Sequence, residues 1–248
     1  MKFTNNQHKL WVELLKVQTP NIKKFASEIF LEGFNKIDFP KEKIPSLEFL
    51  NSKINPITGW NILRTNIRYS NSLSWYQHLA RKEFIVTDFL RSWKEFEFTH
   101  EPDMFHDIFG HLPFHMLPKY SELIEMFPIA FLNANEMQKE EIKKLAWFSY
   151  EFGLIRENGK TKVFGTGLIS SIGELKNVAE GKIPVENFTI ENVLKRDKAI
   201  YSFNEKLFIF DSLEELKTEL NRYFSKIEIT KDINEIKREV IQEVEMFG

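Results

Sequence analysis

The sequence predicts a mainly α-helical protein with small β hairpins. Apolar residues recur at three- and four-residue intervals along much of the chain. Strand-like runs are few and short. The strongest hairpin signal, Asn158-Gly159, lies between two short apolar stretches.

Each element follows from local pattern. Leu10, Trp11, Leu14 and Leu15 share one helical face, as do Ile22, Phe25, Ile29 and Phe30, and Pro20 is expected to separate the two helices. Pro40 and Pro45 make 37–48 a loop. A further helix is expected from Ser74 to Lys82. Another spans Asp103 to Gly110 and ends at the glycine. Glu136 to Phe152 carries a long helical pattern. The hairpin IRENGKTKVF occupies 155–164. Ser171, with Glu174 three residues on, opens a helix by a capping box. LFIF at 207–210 reads as a strand, and Ser212 with Glu215 opens the next helix. The final stretch, INEIKREVIQEVEMF, is amphipathic but too short for an independent coiled coil. With no repeat and no clear linker, residues 1–248 read as a single domain with its core over about 5–225.

Composition narrows the function. Of 248 residues, 42% are hydrophobic, enough for a substantial core, and the 28% that are charged mix both signs to a net −2. Nucleic acid is not expected as the main partner, because phosphate binding needs a concentrated basic face. With no cysteine, disulfides and thiolate metal sites are excluded. Any metal must sit on His, Asp or Glu. The first twenty residues lack the apolar stretch of a signal peptide, and no apolar run approaches a membrane span, so a soluble cytoplasmic protein is expected. Most of the 24 phenylalanines read as core, with a few left as candidates to line a pocket for a flat substrate.

Four of the six histidines, His100, His106, His111 and His115, fall within sixteen residues. His106 and His111 bracket HDIFGH. A spacing of five does not put two side chains on one face of an α-helix, where three or four would. A helix stopping at Gly110 resolves this by letting His111 leave on the following loop. Asp103 and Asp107 are close enough to steady a ligating imidazole. Glu151 in WFSYEFGL is the best third ligand, because a carboxylate among Trp147, Phe148, Tyr150, Phe152 and Leu154 is costly unless paired or metal-bound. Two imidazoles and a carboxylate suit a non-haem iron(II) oxygenase. The same ligands also suit a zinc hydrolase. The His106-Asp107 dipeptide is similar to that of the HD phosphohydrolases, although a full set of their ligands does not emerge.

EPDMFHDIFGHLP, LAWFSYEFGL and FGTGLISSIGEL, in this order, resemble the pterin-dependent aromatic amino acid hydroxylases, in particular their bacterial phenylalanine 4-hydroxylase branch. The resemblance extends upstream through ITGWNILRT and HLARKEFIVTDFLR and covers about residues 5–225. It implies the single catalytic domain of that fold. It implies iron(II) on His106, His111 and Glu151, with tetrahydrobiopterin or a related tetrahydropterin as cofactor and dioxygen as co-substrate. Arg91 matches the arginine that holds the substrate carboxylate, and Thr99 another substrate contact. Trp147, Phe84 and Phe152 match pocket walls. Ser170 matches a serine near the first iron histidine and counts among the substrate-site residues. Trp75 and Asp107 match positions beside the pterin. The implied reaction hydroxylates an aromatic ring, with phenylalanine to tyrosine the leading case. Tryptophan, or another ring position of phenylalanine, is the alternative. Ala146 stands where relatives usually carry tyrosine, His100 where animal enzymes carry proline, and Thr166 where alanine is usual. A third class, a binding protein that kept the fold without activity, is disfavoured by the intact ligand set. The chain shows no match to the family's regulatory domain or long assembly helix, which implies a monomer.

Overall fold

The computed structural model describes residues 3–199 and 202–242. Helix α1 (Asn5–Phe25) opens with a capping box between Thr4 and Gln7. It is followed by α2 (Glu28–Ile37), α3 (Leu47–Thr58), β1 (Asn61–Thr65), α4 (Ser72–Ala80) and β2 (Glu83–Thr87). A π-helical turn, His106–His111, runs straight into α5 (Leu112–His115). Next come α6 (Pro118–Asn133) and α7 (Glu136–Ala146), which continues as a second π-helical turn, Trp147–Glu151. The chain then forms β3 (Leu154–Glu157), β4 (Lys160–Val163), α8 (Thr166–Ser170) and α9 (Ile172–Ala179). It ends with β5 (Val185–Asn187), α10 (Ile190–Leu194), β6 (Leu207–Phe210), α11 (Leu213–Phe224) and α12 (Ile233–Arg238).

Among the described residues the fold is mostly helical with two small sheets, in keeping with the mainly α expectation. Strands β1 and β2 pair in parallel around α4, with Leu63 opposite Ile85. The second sheet has the order β4-β3-β6-β5. Only β3 and β4 form a hairpin among the described strands; the remaining pairs are parallel. Asn158 and Gly159 both take positive φ, 52° and 72°, as a two-residue turn of this type requires.

Two predicted helix breaks are absent. Pro20 lies inside α1 rather than between two helices. It cannot donate to the Lys16 carbonyl, but both residues are exposed, so water can replace the lost bond. The helix stops instead at the extended Ala26, and Ser27 caps α2 by accepting from the Phe30 amide at 3.2 Å. Gly110 does not end a helix either; it sits within the π turn. The predicted C-terminal helix is present as α12, while residues 243–247 of that stretch lie outside the described residues.

The core is a single cluster of buried apolar side chains running from Leu10 to Ile227. Much of the phenylalanine is packed behind the first π turn. Phe105 and Phe109 stack with centroids 4.6 Å apart, Trp11 meets Phe105 edge-on at 5.2 Å, and Phe30 contacts both Phe109 and Phe114. Each such ring contributes about 1.5–3 kcal/mol by burial, which anchors a backbone conformation that is otherwise rare.

Gly159→Ala tests the hairpin. A Cβ there meets nothing within 4 Å, so the cost comes only from φ of +72°. We expect a loss of about 1 kcal/mol, read as a lower denaturation midpoint at unchanged slope, with Gly159→Asn losing less.

Candidate active site

The first π turn removes the spacing problem. Hydrogen bonds that reach five residues stack side chains five apart, so His106 and His111 stand together without a helix end between them. Their Nε2 atoms are 3.0 Å apart. Glu151 closes the second π turn and faces them. Its Oε1 lies 3.4 Å from His111 Nε2 and its Oε2 3.6 Å from His106 Nε2. Among the described residues, these three form the one group of three or more whose ligand atoms lie within 4.8 Å of one another.

The donor set fits an octahedral divalent ion bound on one face. Neighbouring ligands around such an ion, with bonds of about 2.1 Å, sit about 3 Å apart. Charge is also matched. Burial, together with the His111 imidazole, pushes His106 down to about 4. Burial alone would raise Glu151, but His111 and His106 beside it outweigh that and hold it at about 2. The site therefore offers an ionised acid and a neutral His106, the forms that bind metal. Both remain reachable from the cleft, at 12% and 19% exposure.

The neighbouring acids do other work than steadying an imidazole. His106 Nδ1 lies 2.9 Å from Ser170 Oγ, so a hydroxyl rather than a carboxylate fixes this ring. Asp103 accepts from the His106 amide and pairs with Arg91 through Nε and Nη2, both at 2.8 Å. Asp107 Oδ2 accepts from the Thr87 amide at 2.8 Å, and burial raises its carboxyl well above the usual range. Gly110 has a packing role. A Cβ there would come within 2.9 Å of the Thr166 carbonyl, so glycine lets α8 lie against the π turn.

A cleft of about 210 Å³ opens over the triad. Arg91, Thr99, Trp147, Phe152, Ser170, Trp75 and Asp107 all line it. Arg91 is 2% exposed, and among the described residues its Nη1 has no hydrogen-bond partner. A buried donor left unpaired costs about 1–3 kcal/mol, which marks a place for a ligand's acceptor. The Thr99 hydroxyl donates to the Glu101 carbonyl at 3.0 Å. The Trp147 and Phe152 rings pack at 4.4 Å. Phe84 departs from expectation as a pocket wall. It is buried behind the cleft, packed on His111 at 5.0 Å and on Trp75 at 5.2 Å, because its strand turns it inward.

Other links around the cleft carried no sequence signal. Trp147 Nε1 donates to Asn204 Oδ1 at 3.0 Å, and the Asn204 backbone and side-chain nitrogens donate to the buried Glu174 at 3.1 and 2.9 Å. Tyr76 and Tyr150 also line the cleft, and the Tyr150 ring meets the His111 ring edge-on at 6.4 Å. Asn204 lies more than fifty residues from Trp147 in sequence, and only the fold joins them. Burial raises Glu174, and the capping box expected with Ser171 forms only by half: Ser171 accepts from the Glu174 amide at 3.2 Å, while the Glu174 carboxylate turns to Asn204 instead of the Ser171 amide.

Comparison with known proteins agrees with this geometry. A family model for biopterin-dependent aromatic amino acid hydroxylases matches residues 1–246. The phenylalanine-4-hydroxylase of Mesorhizobium japonicum is 32% identical over 225 residues, covering 87% of this chain and 78% of that protein. A crystal structure of Chromobacterium violaceum phenylalanine hydroxylase with iron(III) and oxidised 7,8-dihydrobiopterin aligns with a TM-score of 0.83. The identity is 25%, over 91% of this chain and 83% of that one. A second structure of that enzyme, bound to iron and phenylalanine, aligns at 0.81 with 26% identity, over 90% and 83% of the two chains.

His111→Ala and Glu151→Ala should each abolish stoichiometric Co(II) binding, followed by calorimetric titration, while circular dichroism shows a retained fold. Unchanged stoichiometry in either variant would move the metal elsewhere.

Proposed function

The chain belongs to the family of biopterin-dependent aromatic amino acid hydroxylases, and from that membership we propose that it is a phenylalanine 4-monooxygenase. It converts L-phenylalanine to L-tyrosine with iron(II), a tetrahydropterin and dioxygen. The observation that carries this reading is the meeting of two features in one cleft. A three-ligand metal face lies in the same cavity as a buried guanidinium with one nitrogen that has no partner among the described residues. An amino acid with a flat side chain fits both.

When bound by His106, His111 and Glu151, iron(II) would, together with a tetrahydropterin, supply the electrons needed to activate dioxygen for ring hydroxylation. The protein's part is holding and orienting. His106, His111 and Glu151 hold the metal, and Ser170 fixes the His106 ring so that Nε2 turns toward it. Arg91 Nη1 takes the substrate carboxylate. Because Asp103 clamps the other edge of the guanidinium, that donor is already aimed before substrate arrives. Trp147 and Phe152 wall the ring site, and the bond to Asn204 sets the tilt of Trp147. Thr99 borders the same space. Trp75 and Asp107 lie where a flat pterin with hydrogen-bonding edges can be held. The apolar walls limit water around the reacting atoms. No side chain is needed as a general base.

The hydrolase reading loses support at Asp107. The acid of the His-Asp dipeptide is taken up by the Thr87 amide and does not join the metal group. We also read the chain as one catalytic domain acting as a monomer. The single core cluster supports the first point, and light scattering of the purified protein tests the second. Among the described residues, no helix is long and apolar enough to cross a membrane.

Product analysis tests the activity. Incubation with iron(II), tetrahydrobiopterin, oxygen and phenylalanine should give tyrosine, dependent on both iron and pterin. Meta-tyrosine would keep the family and shift the ring position, with Ala146 and Thr166 as the first residues to exchange. No hydroxylated product from phenylalanine, tyrosine or tryptophan would contradict the assignment. Arg91→Lys tests substrate holding. Losing the second edge of the guanidinium should raise KM for phenylalanine about 10- to 100-fold, with little change in the pterin KM.

A further inference from the structure

Thr166 touches the metal site from behind the cleft. It is fully buried at the start of α8. Its hydroxyl donates to Glu151 Oε2 at 2.8 Å and lies 3.2 Å from His111 Nε2. Without this contact, little distinguishes the two carboxylate oxygens. One is 3.4 Å and the other 3.6 Å from an imidazole nitrogen. A hydroxyl has one proton to give. When His111 Nε2 lends its lone pair to a metal it can no longer accept that proton, so the bond goes to Glu151 Oε2. An oxygen that accepts a hydrogen bond is the weaker ligand of the pair.

We propose that Thr166 is a positioning residue that holds Glu151 Oε2 so that the carboxylate binds the metal through Oε1 alone. One coordination position is thereby kept open on the metal face. The proposal rests on the reading of His106, His111 and Glu151 as the metal site. The hydroxyl is held firmly in place, because α8 is packed against the π turn and the Thr166 carbonyl approaches Gly110.

The test uses Co(II) alone as the probe, added to metal-free protein. Its visible absorption weakens as coordination number rises. The wild-type protein should bind one Co(II). Thr166→Val keeps the shape of the side chain and removes the hydroxyl. It should give a weaker visible band, as the second carboxylate oxygen joins, and about tenfold lower affinity, as is usual when a partner of a ligand is lost. Thr166→Ser should restore the wild-type spectrum. A Thr166→Val protein with the wild-type spectrum overturns the proposal whatever its affinity. A changed spectrum that serine does not restore assigns the effect to packing and also overturns it. A wild-type protein that binds no Co(II) removes the metal-site reading itself, a separate failure. Circular dichroism and the melting midpoint of the metal-free variants confirm that all are folded.

Discussion

Hydrogen bonds that reach five residues instead of four shape both segments that carry the metal face. His106 and His111 stand at the two ends of one π turn, and Glu151 ends the other. In an α-helix, residues five apart diverge; here they lie with Nε2 atoms 3.0 Å apart. The conformation is rare and needs support from the rest of the molecule. Stacked Phe105 and Phe109, with Trp11 and Phe30 around them, fix the back of the first turn in the core. Helix α8 presses on its front, which the absence of a side chain at Gly110 permits.

Around this scaffold, buried polar groups are paired in ways that leave selected atoms free. Asp103 satisfies two nitrogens of Arg91 and the amide of His106, which links the substrate side of the cleft to the metal side through one carboxylate. The third guanidinium nitrogen has no partner among the described residues. Glu174, through Asn204, does the same for Trp147. Removing one partner of such a buried pair costs more than the pair contributes, since the other is left uncompensated. The charges therefore order the site more than they stabilise the fold.

Much of this was legible in the sequence, for reasons that differ by element. The hairpin at Asn158-Gly159 and the caps at Ser171 and Ser212 are local chemistry, and they stand where the sequence puts them. The candidate ligands were legible as a cluster and an aromatic-framed acid. The means of convergence was not, because HDIFGH carries no local mark that distinguishes a π turn from a helix ending at glycine. Pro20 misled for a related reason. Whether a helix can run through a proline depends in part on whether the carbonyl it orphans can reach water, and burial is a property of the fold. Phe84 and the Trp147–Asn204–Glu174 chain were illegible for the same reason, since which face of a strand turns inward, or which distant residue meets a ring, depends on tertiary packing.

The two π turns set two imidazoles and one carboxylate to meet at a single metal ion. X-ray absorption of the Co(II)-loaded protein tests it most directly, because imidazole rings scatter in a pattern that can be counted. Two imidazoles at about 2.1 Å are expected, with oxygen filling the remaining positions. A metal with one imidazole or none would contradict it.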